Sequence, residues 1–359
     1  MTDRLYFDHA AATPIHASTR EAMARAMDIW ANPNSPYAEA RAARAAMEEA
    51  RRSLKDGLGW RHDVIFTSGA SEAVSLCARC ARVEGRAHGA TEHAIVPASM
   101  GADSRIIPVN EKGLVDMDAL DAILAEGPAL VAIQQVNNET GVLQPLEEIY
   151  AKVKAAGSLL LADCAQGGGK LPLPDADFIA LSGHKMGGPP GVGALLVKDI
   201  GQLEPCGGGQ EKGYRRGTQN MPAIVGMAGA LDGRGFLDAM ERFKFLRERF
   251  ENAVKAMGGV VIAEGAPRTP AIGAIALPGA SSAAMLVQLD LAGIAVSAGS
   301  ACSSGAMKPS AVLEAMGLPD AVKQSFLRIS FGPDTSETDV DRLVEALQGI
   351  AIKARATAA

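Results

Sequence analysis

The 359-residue chain lacks several features, and each absence narrows its class. No apolar run approaches the ~18 residues of a membrane span, and the N-terminus lacks a signal peptide's basic-then-apolar layout. The expectation is a cytoplasmic protein without a membrane partner. Like charges form no block and the net charge is only -6, so direct nucleic-acid binding is not signalled. No GxGxxG opens a helix after the first strand, which argues against a plain dinucleotide-binding fold. Cysteine is sparse and odd in number: Cys77, Cys80, Cys164, Cys206 and Cys302 argue for reduced thiols and against a disulfide framework. Cys77 and Cys80 form a CxxC in a helical stretch with no second pair, which reads as packing and not as a metal site. Internal repeats and low-complexity tracts are also missing.

What is present suits a large globular protein. Hydrophobic residues make up 48% and charged residues 21%, enough for one large and one smaller core. The alternation of strand and helix patterns predicts an α/β fold with a mostly parallel sheet between helices. Strands are expected at 64–67, 94–97, 105–109, 129–134, 158–162, 178–181 and 193–197. A first helix is expected to open on Thr13-Pro14. Beyond a long helix at about 237–257 the pattern changes to a smaller α+β unit, with the last six residues frayed. The predicted boundaries are 13–248 for the large domain, and 1–12 with 249–359 for the small one.

The run from Asp177 to Gly193 is the organising stretch. A short apolar segment breaks into Ser182-Gly183-His184-Lys185, which sets a lysine directly after a buried strand. Partial desolvation favours a neutral amine able to react with an aldehyde. Gly69-Ala70-Ser71 at a strand–helix junction adds free backbone N–H groups suited to an anion. An aldehyde cofactor with a phosphate and a pyridine ring needs four things: a lysine, an acid for the ring nitrogen, a phosphate cradle and a flat group over the ring. Lys185, Asp163, the Ala70/Ser71/Ser182/His184 set and His93 meet these needs in turn. Ser71, Asn138, Asp163 and Lys185 all follow expected strands, where α/β sheets place ligands; His93 is expected in a loop before one.

These pieces resemble, in order, the cysteine desulfurases (group I-like) of the pyridoxal-phosphate-dependent class-V aminotransferase family, fold-type I. The matching motifs include Phe66-Thr67-Ser68-Gly69-Ala70-Ser71-Glu72, Thr91-Glu92-His93, Val136-Asn137-Asn138-Glu139 and Asp163-Cys164-Ala165-Gln166. They continue through Ser182-Gly183-His184-Lys185, Arg216-Gly217-Thr218, Ser300-Ala301-Cys302-Ser303-Ser304-Gly305 and Arg328-Ile329-Ser330-Phe331-Gly332. The resemblance implies pyridoxal 5'-phosphate on Lys185, with Asp163 on the ring nitrogen, Gln166 on the ring hydroxyl and His93 over the ring as acid/base. It implies phosphate binding by Ala70, Ser71, Ser182 and His184, joined by the partner subunit's Thr218 in a homodimer. Asn138 and Arg328 would hold the carboxylate of L-cysteine. Cys302 would take the sulfur as a persulfide, leaving L-alanine, and pass it to an acceptor protein for iron–sulfur cluster assembly or tRNA thiolation. No metal is implied. A selenocysteine lyase or an aminotransferase on the same fold is the alternative reading, under which Cys302 is incidental. The segment before Thr91 is shorter than in the family, and the chain ends soon after Leu347 without the tail by which some relatives contact a scaffold, so the acceptor stays open.

Overall fold

Seven strands form the central sheet of the computed structural model, which describes residues 4–232, 235–299 and 310–358. In chain order the strands are β1 (Leu5–Tyr6), β2 (Asp63–Thr67), β3 (Gly85–Gly89), β4 (Arg105–Ile107), β5 (Ala129–Gln134) and β6 (Leu159–Asp163). The remainder are β7 (Phe178–Ser182), β8 (Gly193–Val197), β9 (Val260–Val261), β10 (Ile272–Ala276), β11 (Ile294–Ala295) and β12 (Phe326–Ser330). The helices begin with α1 (Ala17–Met27), α2 (Ala38–Leu58), α3 (Ala70–Cys80), α4 (Ile95–Met100), α5 (Met117–Ala125) and α6 (Leu146–Ala155). They continue with α7 (Met221–Gly229), α8 (Gly235–Ala256), α9 (Ser282–Leu291), α10 (Ala311–Ala315), α11 (Asp320–Lys323) and α12 (Glu337–Ala358).

The large sheet runs β2-β8-β7-β6-β5-β3-β4 and is parallel from β7 to β4, with β8 antiparallel to both neighbours. The expected α/β class is thus observed. Every residue of β5, β6, β7 and β8 is buried, which explains their unbroken apolar runs. Alternate side chains still part to opposite faces. Val131, Ile133, Leu160, Ile179 and Leu181 join the core under α1, α2, α5, α6 and α7. Leu130, Ala132, Leu161, Phe178 and Ala180 join the core under α3 and α4. Each such large side chain contributes about 1.5–3 kcal/mol on burial. A second body of core gathers Phe236, Phe243 and Phe250 of α8, Met285 and Leu289 of α9, and Leu343 and Leu347 of α12, with Leu5 and Phe7 from the N-terminus. These cover the antiparallel sheet β12-β10-β9.

Four expectations are corrected. Residues 94–97 belong to α4 and not to a strand; Pro97 sits in its first turn, where the missing N–H costs nothing. The strand there is instead β3, whose Gly-Arg-Ala-His-Gly sequence has no β-branched residue to announce it. Helix α1 begins at Ala17, because residues 13–16 bond elsewhere: Thr13 N donates to His184 O at 2.8 Å and His16 N to Gly187 O at 3.0 Å. The C-terminal helix continues to Ala358 without fraying at 354. Finally, Cys80 and Cys206 are joined as a disulfide, with Cα atoms 6.0 Å apart, so not all thiols are reduced. A bridge between Ala81 and Leu203 and the 2.8 Å bond from Glu204 N to Cys80 O bring these distant segments together.

Candidate active site

The carboxyl ends of β3, β5, β6 and β7 converge on one crevice. Lys185 closes the single turn after β7, and its backbone is held from outside the sheet: Thr13 Oγ1 donates to Lys185 O at 3.1 Å. Asp163 ends β6, is 8% exposed, and accepts from Ala165 N at 2.9 Å. His93 follows β3 in a turn pinned to the end of β5. Gln134 Nε2 donates to both Thr91 O (2.8 Å) and Thr91 Oγ1 (2.9 Å), and Glu92 Oε1 accepts from Gln134 N at 2.9 Å. The expected position of His93 before a strand is therefore corrected: it shares the strand-end address of the other site residues. Ile95 N donates to His93 Nδ1 at 3.3 Å, which leaves the proton of the neutral ring on Nε2. Burial, then the nearby Lys185 charge, lowers the His93 pKa below its ordinary value. The ring is thus neutral near pH 7.

At the other end of the crevice, the junction from β2 to α3 presents Ser68, Ala70 and Ser71 at a helix N-terminus, with Ser71 exposed. Backbone approaches backbone beneath it: a Cβ on Gly193 would lie 2.6 Å from Gly69 Cα. Ser182 and His184 face each other, Oγ to Nδ1 at 3.0 Å. His184 is lowered in pKa by burial and then by Lys185 and Lys170. Glu72 fastens the rim, accepting from Ser68 N at 2.5 Å and from Arg215 Nε at 2.9 Å. Burial pushes this carboxyl up, but the bonds from Ser68 and Arg215 outweigh it and leave the pKa below the usual value. Thr218 is exposed on the segment beyond, which buried Glu211 anchors through Arg51 (Nη1 at 3.0 Å), Phe66 N (3.0 Å) and Gln219 Nε2 (3.0 Å).

Arg328 and Asn138 do meet, but through the backbone carbonyl of Asn138, which accepts from Arg328 Nη1 at 2.8 Å. Arg328 Nη2 also donates to Asp8 Oδ1 at 2.6 Å. Its Nε is buried without a partner, so donors remain for a carboxylate. The turn bearing Asn138 is held by Asn137 Oδ1, which accepts from Glu139 N and Thr140 N at 3.0 and 2.8 Å. Gly141 closes it at φ +75°, where a Cβ would press on Ile272 at 3.0 Å. Cys302 lies outside the described residues. Of the other cysteines, Cys77 and Cys164 are buried, and burial raises both thiols well above their ordinary pKa.

Two residues of the crevice escaped the sequence reading. Asp8 was visible as a motif residue, but its partner Arg328 is 320 positions away. Lys170 is 4% exposed with its ammonium 4.4 Å from the Phe236 ring centroid, and burial, Lys185 and Arg328 lower its pKa to about 7. Nothing local marks such a lysine; only the closing of the two cores over it does.

The residues present fit pyridoxal phosphate. Gln166 is 5% exposed; its Nε2 donates to Ala10 O at 2.8 Å, while its buried Oε1 has no partner and can accept a ring hydroxyl. A strand-end lysine, a buried aspartate, a flat neutral histidine and a Cβ-free cradle complete the requirements of fold-type I. The class-V aminotransferase family matches residues 5–343, and the chain belongs to that family. Within it, the chain is a pyridoxal-phosphate-dependent enzyme of the cysteine desulfurase group. It is 34% identical over 377 residues to a cysteine desulfurase of Cereibacter sphaeroides, covering 99% of this chain and 97% of that one. Its fold superposes on a NifS-like protein from Rickettsia africae with a TM-score of 0.88, at 30% identity over 97% of this chain and 99% of that one. A structure titled SspA in complex with cysteine matches at TM-score 0.77 and 29% identity, over 92% and 100% of the two chains.

Proposed function

We propose that the protein removes the sulfur of L-cysteine, releasing L-alanine and loading one sulfur atom onto Cys302. One observation carries the reading: Arg328, with an unpartnered buried Nε, meets Asn138 at the carboxyl ends of the strands that also bring Lys185, Asp163 and His93 together. Ala70, Ser71, Ser182 and His184 hold the cofactor's phosphate, Asp163 its ring nitrogen and Gln166 its ring hydroxyl. When bound, the cofactor supplies an electron sink for cleavage next to the amino carbon. Arg328 grips the substrate carboxylate with its remaining donors, aided by Asn138, and the neutral His93 moves protons at Nε2. Lys185 supplies the amine that holds the cofactor and then serves as a proton carrier. The Cys302 thiolate attacks the substrate sulfur, the C–S bond breaks, and the carbon takes up a proton. Cysteine plus enzyme thiol thus gives alanine plus enzyme persulfide, with no outside oxidant.

The active unit is a homodimer. Thr218 is exposed, and the neighbouring surface carries Trp30, Met27 and Tyr37 at 76%, 63% and 44% exposure. Asn34 ties these together through Gln210 and Gln219. We read residues 13–248 as the large domain and 1–12 with 249–359 as the small one, and place the enzyme in the cytoplasm, where an acceptor protein takes the persulfide sulfur. Among the described residues no helix is long and apolar enough to cross a membrane. Incubation with L-cysteine, scoring alanine and the mass gain on each cysteine, tests the function. Sulfur on any cysteine other than Cys302, or full turnover by Cys302→Ser, overturns it. Light scattering of an active monomer would remove the dimer.

A further inference from the structure

The segment that carries Cys302 leaves the described fold at one point and returns at another, and both points are tied to the same pair of residues. On the near side, Ser297 and Arg328 exchange backbone bonds: Arg328 N donates to Ser297 O at 2.7 Å, and Ser297 N to Arg328 O at 3.2 Å. On the far side, Ser310 is 5% exposed and its Oγ donates to Glu139 Oε2 at 2.5 Å. Glu139 is itself 3% exposed and directly follows Asn138, whose carbonyl receives Arg328 Nη1. Burying a carboxylate is costly unless it is bonded, and one short hydroxyl bond from across the fold is a specific use of it. Burial raises the Glu139 pKa, with Ser310 and Arg328 opposing that rise.

We propose that Glu139 is a positioning residue for sulfur transfer: through Ser310 it fastens the far foot of the Cys302 segment to the turn that holds Arg328. The substrate carboxylate and the attacking thiol are then referenced to one rigid frame. This rests on Cys302 being the sulfur acceptor.

Ser310 also caps α10, accepting from Leu313 N at 3.1 Å, so the clamp must be separated from the cap. Ser310→Asp does this, since aspartate caps well but sets one carboxylate against another. Its partner, Ser310→Asp with Glu139→Gln, restores a donor–acceptor pair. The first measurement uses the cofactor-free protein: the rate at which iodoacetamide alkylates Cys302, read by mass mapping. The second uses the loaded enzyme: KM and kcat for alanine release. Ser310→Asp should raise the alkylation rate several-fold and lower kcat by roughly 10- to 100-fold, the scale of an ångström-sized misplacement. KM for cysteine should stay within about twofold, and the double variant should recover both readouts. Wild-type alkylation and kcat in Ser310→Asp, or a thermally intact double variant that recovers neither, would overturn the proposal. Should Ser310→Asp fail to fold, Ser310→Thr against Ser310→Ala takes its place, with threonine expected to keep both readouts and alanine to lose them. If wild-type enzyme makes alanine without sulfur on Cys302, the persulfide reading fails instead, and the alkylation rates still decide whether Glu139 holds the segment.

Discussion

The cofactor end and the substrate end of the crevice are built in different ways. The cofactor end is local. Lys185, His184 and Ser182 lie on one turn, Asp163 and Gln166 on another, and Ala70 with Ser71 on a third, each at the end of a fully or mostly buried strand. The substrate end is assembled from far apart: Asp8, Asn138 and Arg328 meet across the two bodies of core. A strand end positions its residues through the whole sheet, whereas a cross-domain site depends on a few polar bonds. Damage at the first should remove chemistry, and damage at the second should weaken binding and timing.

The largest expected effect is at Lys185. Lys185→Ala should retain phosphate affinity but lose the visible absorbance of the lysine-linked cofactor and all turnover; measurable turnover would break the assignment. Asp163→Asn should bind cofactor and slow turnover by about a hundredfold, as loss of a buried electrostatic partner does. At the opposite end, Asp8→Ala should raise KM for cysteine about tenfold, equivalent to one charge-assisted bond, and change kcat less. A kcat loss as large as that of Asp163→Asn would erase the contrast between the two ends.

Two smaller effects concern the frame. Reducing the Cys80–Cys206 bond should cost about 2–4 kcal/mol in denaturant melts, because it frees a loop of 126 residues in the unfolded chain. Cys206→Ser should show the same loss and no further response to reductant. The smallest is at Lys170. Its folded pKa of about 7 lies below the 10.5 of the unfolded chain, so between these values the unfolded state binds more protons. Stability therefore rises as pH is raised from 7 toward 10.5, and the protonation cost is fully present below the folded value. Lys170→Met should flatten that slope in melts across pH 7–9.5. An unchanged slope would mean that Lys170 is not the titrating group.

The primary sequence alone determined the sheet, the strand-end lysine and most cofactor contacts, because each rests on a short contiguous motif whose physics is local. An apolar run followed by glycine and a polar turn can be read within ten residues, as in Phe178 to Gly187. Local reading failed where neighbours override propensity. Residues 94–97 have β-branched content, yet His93 and the end of β5 start them as helix, and β3 forms from a polar stretch because β4 and β5 flank it. Only the tertiary structure decided what lies between the two bodies of core. Asp8 reaching Arg328, Ser310 reaching Glu139, Lys170 under Phe236 and Cys80 bonded to Cys206 each join residues separated by 66 positions or more. Such pairs leave no periodic trace, since each partner satisfies its local rules unaided and only the closing of the chain brings the two within bonding distance.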